Sequence, residues 1–179
     1  MGLWDHFIVA KTDVADLGMP SVESLGEHDG WRYVRVPYDV GTDAAVENVA
    51  RLLEAPVIGA YVADSDAAAV YCADGSGLRS WLAINPSYDD GDPEHTEQWL
   101  DAEAHKDAAE SVARWAAEYA PKKPSGAEIV SALAELEDPD LGAEVGERML
   151  VFADEGLRAV FGLLGFASLD EAVFMVGRG

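Results

Sequence analysis

Between Pro56 and Asp64 the chain reads Val57-Ile58-Gly59-Ala60-Tyr61-Val62-Ala63, a run of strand length without a single charge. Strands that face water on one side alternate apolar and polar residues, so an unbroken run predicts a central strand covered on both faces. The rest of the fold must supply a layer above it and a layer below it. The chain has the means: it is 179 residues long and 49% hydrophobic, enough for one sizeable core. Its five Trp, six Tyr and five Phe are spread among the charges, as a packed domain requires and a solvated acidic polymer lacks.

Around that strand the N-terminal half reads as a small sheet. Trp4 to Ala10 is short and rich in aromatic and β-branched residues, hence a strand. Asp13 to Gly30 holds Gly18, Pro20, Gly26 and Gly30 and reads as a loop with a helical turn. Trp31 to Tyr38 is a second strand stopped by Pro37, with Arg32 and Arg35 balancing charge on a solvent-facing surface. Asp43 to Glu54 is an amphipathic helix capped by Thr42 or Asp43, with Val46, Val49, Ala50 and Leu53 on one face. Ala67–Ala73 and Trp81–Ile84 pair as a hairpin around Asp74-Gly75, through a loop longer than the two-residue ideal.

Beyond Pro86 the periodicity becomes helical. After the loop Ser87–Pro93, Glu94 to Tyr119 predicts one long helix closed by Pro121 and Pro124. Ser125 and Glu128 form a capping box that opens a helix over Ala127–Leu136. Asp138-Pro139-Asp140 interrupts, and Leu141–Leu164 predicts a last long helix with Gly165 beyond its end. Ser168–Val176 is a short helix or a final strand. The expected class is α+β in a single domain over 1–179: a mixed sheet of about five strands in residues 1–88 packed with a helical half in residues 89–179.

Charge narrows the partners. With 34 acidic side chains against 12 basic, the formal net charge is −22, which repels nucleic acid and anionic membranes and attracts cationic proteins. A solvated surface and adaptation to a saline cytoplasm explain the same excess. It is densest from Asp89 to Glu118, ten acidic residues against Lys106 and Arg114, and from Glu135 to Glu155, eight against Arg148. No run approaches the ~18 apolar residues of a membrane span, and the N-terminus lacks the basic region of a signal peptide. A single cysteine, Cys72, excludes an internal disulfide framework, and the expected location is cytoplasmic.

The chemistry-bearing residues are sparse. His95 and His105 lie ten residues apart on one predicted helix, roughly 80° and about 15 Å from each other, too far to share a metal; His6, His28, His95 and His105 read as exposed or capping residues. Cys72, within Val70-Tyr71-Cys72-Ala73, reads as a small buried hydrophobe. Asp64-Ser65-Asp66 ends the central strand with two carboxylates, the Asp-x-Asp spacing that can hold a divalent ion, but no phosphate-binding loop accompanies it. Asp89-Asp90-Gly91-Asp92 lacks the spacing of a calcium loop. No catalytic residue, metal ligand or cofactor is expected.

Gly30-Trp31-Arg32-Tyr33-Val34, Ala60-Tyr61-Val62-Ala63-Asp64-Ser65-Asp66, Leu82-Ala83-Ile84-Asn85-Pro86 and Trp115-Ala116 resemble segments of small acidic cytoplasmic proteins of high-GC bacteria, among them immunity proteins of polymorphic toxin systems. Such proteins need a complementary surface and no active site. The resemblance, together with the charge, implies a non-enzymatic inhibitor of a basic protein such as a toxin, binding through Asp64, Asp66, Asp89, Asp90, Asp92, Glu94, Glu97 and Asp101. Two other readings stay open: a small metal-dependent or nucleotide-binding enzyme using Asp64 and Asp66, and a structural subunit of a homo-oligomer.

Overall fold

The computed structural model describes residues 5–11, 23–36, 41–63, 66–85, 93–141, 149–150 and 152–166. Among them, six strands form one sheet: β1 (Asp5–Ala10), β2 (Glu23–His28), β3 (Trp31–Arg35), β4 (Val57–Ala63), β5 (Ala67–Asp74) and β6 (Gly77–Ile84), in the order β2-β3-β1-β4-β5-β6. The helices are α1 (Thr42–Leu53), α2 (Pro93–Leu100), α3 (Ala102–Tyr119), α4 (Gly126–Ala134) and α5 (Ala153–Leu164). The class is α+β, as the sequence predicts, but every strand pairing is antiparallel instead of mixed. The additional strand is β2, within the stretch read as a loop. It is an edge strand exposed at every position but Leu25, so it carries no apolar alternation. Its register is marked by charge: Glu23 faces Arg35 and Glu27 faces Arg32 across the ladder, with ion pairs of 2.7 and 3.6 Å. Gly26, at φ +142°, sits at the register shift between them.

β4 lies between β1 and β5, covered on both faces as its composition demands. On one face, Ile8, Val34, Val36 and Val57 pack against Val46, Val49 and Ala50 of α1. The approach is close because residue 59 is glycine: a methyl group there would overlap Val46 Cγ2 and come within 3.0 Å of the Phe7 carbonyl. On the other face, Phe7, Ile58, Val70, Leu82 and Ile84 join Val112 and Trp115 of α3, Ile129 and Leu133 of α4, and Leu157 and Phe161 of α5 in one continuous core. Trp115 Nε1 donates to the Ala73 carbonyl at 2.9 Å, where a bulge between Cys72 and Ala73 shifts the β5–β6 register. A fully buried side chain of this size contributes about 2 kcal/mol, against under ~1 kcal/mol for an exposed ion pair. The covered centre therefore holds the sheet, and the β2–β3 charges only bias its edge.

Four predicted details change. Asp74 pairs with Gly77, so the hairpin turn is the two residues Gly75-Ser76, tightened by Ser76 N–H and O–H donating to Asp74 Oδ1 at 2.8 and 2.7 Å. Gly41, not Thr42 or Asp43, is the N-cap of α1, with no side-chain cap; Thr42 is buried and its hydroxyl shares a 2.7 Å hydrogen bond with His6 Nδ1. The long helix Glu94–Tyr119 is two helices, because Asp101 is extended and its carboxylate accepts from Glu103 N–H and Ala104 N–H, capping α3. Leu141–Leu164 is not one helix either: Leu150 bridges to Glu137 and Phe152 is extended at the start of α5. The Ser125–Glu128 capping box and the left-handed Gly165 stand as expected; Ser168–Val176 lies outside the described residues. No described helix is long and apolar enough to cross a membrane.

Candidate partner-binding surface

The Gln98 amide bonds α2 to the backbone of the β6 edge. Gln98 Oε1 accepts from Ala83 N–H at 2.6 Å while Gln98 Nε2 donates to the Trp81 carbonyl at 3.4 Å, so the amide occupies an edge pair that another strand would otherwise take. With Gln98 on the sheet, His95 and Trp99 are buried to either side, and Glu94 and Glu97 face outward. After the Asp101 cap, α3 buries Ala108, Ala109, Val112, Trp115 and Ala116 and exposes Glu103, Asp107 and Glu118. Residues 93–119 carry seven carboxylates against Lys106 and Arg114, and Lys106 already lies 3.9 Å from Glu110. The α2–α3 run is thus a rigid, acidic edge.

Of the residues that the sequence singles out, Glu94, Glu97 and Asp101 come together on this run, although the Asp101 carboxylate also holds the start of α3. Asp66 stands apart at the β4–β5 turn, its side chain exposed, its N–H donating to the Ala63 carbonyl and its own carbonyl accepting from Asn85 Nδ2 at 2.8 Å. Asp64, Asp89, Asp90 and Asp92 lie outside the described residues.

A second feature has no counterpart in the sequence reading. His6, Tyr61, Tyr71 and Trp81 stand on one face of four adjacent strands, β1, β4, β5 and β6. His6 is opposite Tyr61, and Tyr71 is opposite Trp81. Successive ring centroids lie 5.8, 6.3 and 6.4 Å apart, with planes inclined by 27°, 27° and 21°. All four are partly buried, whereas Phe7, Trp31 and Tyr33 of the same sheet are fully buried. α1 abuts one end of the file through the Thr42–His6 bond, and Tyr71 packs on the α1 cluster. α2 closes from the opposite side: His95 meets Tyr61 and Trp81 edge-on at 5.9 and 6.3 Å and shares a 2.6 Å hydrogen bond with the Tyr61 hydroxyl. In the sequence these rings share a strand face with the apolar Ile8, Val57 and Ala73 that pack on α1, and their alignment is visible only once register brings the strands together.

The histidines correct the sequence reading as well. His95 and His105 are buried, His105 against Trp99 with centroids 4.8 Å apart, and His6 is half-buried; His28 alone is exposed. His6 and His95 fill seams between helix and sheet, and His105 fills the seam between α2 and α3. Cys72 is buried in the core, and that burial pushes its thiol up to about 12. Among the described residues no three His, Cys, Asp or Glu side chains converge as metal ligands. The chain matches no protein-family profile, no curated protein and no solved structure.

Proposed function

We propose that this α+β protein is a non-enzymatic binding protein that neutralises a cationic protein, in the manner of an inhibitor or immunity protein acting on a basic toxin. The observation that carries the reading is the acidic α2–α3 edge, where Glu94, Glu97, Glu103 and Asp107 are exposed on two successive helices, the first bonded to the sheet edge through Gln98 and the second capped at its start by Asp101. Charges on a rigid support steer a partner of opposite sign without the entropic cost of ordering them, and the gain appears mainly in the association rate.

The test is to capture proteins on the immobilised chain at low ionic strength, purify what binds, and measure association rates across a salt series. A basic partner is expected, with a rate that falls steeply from about 0.05 to 0.5 M salt and falls again in the Glu94→Lys/Glu97→Lys variant. A neutral or acidic partner, or a rate indifferent to both salt and charge reversal, overturns the reading.

A further inference from the structure

We propose that the ring file His6–Tyr61–Tyr71–Trp81 is the anchor site for a guanidinium side chain of the cationic partner. The inference rests on the cationic-partner reading above and names the chemistry of its central contact. Core aromatics close over one another and lose contact with water, as Phe7, Trp31 and Tyr33 do here. These four are only partly buried and keep some contact with water, with near-parallel planes in file across four strands, between α1 and α2.

Two ligands suit such a file of π-systems: nucleobases, which stack on aromatic sheets when basic residues hold the phosphates, and cations, which are attracted to the electron-rich ring faces. Charge decides between them. The helix that borders the file carries Glu94 and Glu97 beside His95 and Gln98, which both hydrogen-bond to the sheet, and the whole chain stands at −22. A polyanion is repelled and a cation drawn in. Arginine suits the site better than lysine, because its guanidinium is planar, weakly hydrated and able to stack on one ring while donating to a carboxylate.

The experiment compares nona-arginine with nona-lysine, equal in length and charge, by calorimetry at near-physiological salt and by tryptophan fluorescence. Wild type is expected to bind nona-arginine about threefold to tenfold more tightly than nona-lysine, with quenching that disappears in Trp81→Phe. Trp81→Leu and Tyr71→Leu are expected to abolish the preference, while Glu94→Lys/Glu97→Lys weakens both peptides alike. Circular dichroism verifies that each variant is folded, and the wild-type comparison stands without them. Equal affinity for the two peptides, or a preference that survives in folded ring variants, overturns the anchor while leaving the cationic-partner reading intact. Failure to bind either peptide even at low salt overturns both. Tighter binding of oligo-dT than of nona-arginine, quenched through Trp81, overturns the choice of ligand.

Discussion

Asn85 holds the peptide groups of Leu150 from both sides: its Oδ1 accepts from Leu150 N–H at 2.8 Å, and its Nδ2 donates to the Leu150 carbonyl at 3.2 Å. Sixty-five residues separate the partners, and the contact is buried. The same Nδ2 donates to the Asp66 carbonyl, so one amide ties the end of β6 to the β4–β5 turn and to the segment before α5. Asn85 does this from a left-handed backbone at φ +68°, which asparagine tolerates better than most residues.

Removing that amide should therefore cost more than an average substitution. Asn85→Ala leaves a buried N–H and two carbonyls without their partner and also strains the backbone, for an expected loss of about 3–4 kcal/mol. Asn85→Gly accepts the left-handed conformation and should recover about 1 kcal/mol of it. Chemical denaturation of the two variants measures the split; equal losses would mean that the backbone conformation carries no strain here.

Gly59→Ala places a methyl group against Val46 where α1 meets the central strand. Overpacking of this kind costs about 1–3 kcal/mol. Because the tightest clash is with the Val46 side chain, which as a buried β-branched residue on a helix cannot swing aside, while the Phe7 carbonyl stands at 3.0 Å, adding Val46→Ala should return part of the loss. A thermal double-mutant cycle with no coupling would show that α1 shifts as a body instead.

The limits of the sequence follow from where information resides in a chain. β4 was legible because burial on both faces writes an unbroken apolar run, and α4 because Ser125 and Glu128 stand at capping-box spacing. β2 was not, because an edge strand secured by Glu23–Arg35 and Glu27–Arg32 needs no apolar residues of its own. Asp101 looked like one more charge on a long helix, although its carboxylate starts a new one. Leu150 has the period of a helix, yet a distant asparagine takes its peptide groups. The acidic edge of the candidate site was visible as local composition. The ring file was not, because His6, Tyr61, Tyr71 and Trp81 become neighbours only through three inter-strand registers.

Cys72 supplies a test of the core at alkaline pH. Burial raises its thiol to about 12 from an ordinary value of 9.0, so the native state holds the proton where the unfolded chain releases it. The resulting stabilisation is complete below pH ~9 and is lost as pH rises from there through the folded value, with a slope of about 1.4 kcal/mol per pH unit. Cys72→Ala should flatten the fall in stability over that window, measured by urea denaturation at stepped pH. In wild type at pH ~8, a thiol reagent should react only after denaturant is added; rapid labelling of the folded protein would contradict a sealed core.

Acid should act in two opposed stages. The ion pairs Arg51–Glu47 and Lys106–Glu110 lie on exposed surface, where each is worth under ~1 kcal/mol, so the acidic excess destabilises the compact state through self-repulsion. Stability should first rise as pH falls from neutrality toward the pI of ≈ 4.2, where that repulsion fades. Asp74 opposes the trend at lower pH. Burial favours its neutral form, but hydrogen bonds from Ser76, the Arg79 guanidinium at 3.4 Å and the Tyr119 hydroxyl outweigh it and hold the carboxyl below its ordinary 3.8. A depressed folded value contributes stability that is present above the unfolded value and lost as pH falls through the folded one. Melting temperatures at stepped pH should thus pass through a maximum near the pI and fall below it. Asp74→Asn should be less stable than wild type above pH ~4 and converge with it in stronger acid; a constant offset at all pH values would mean that Asp74 acts through packing and not through its charge.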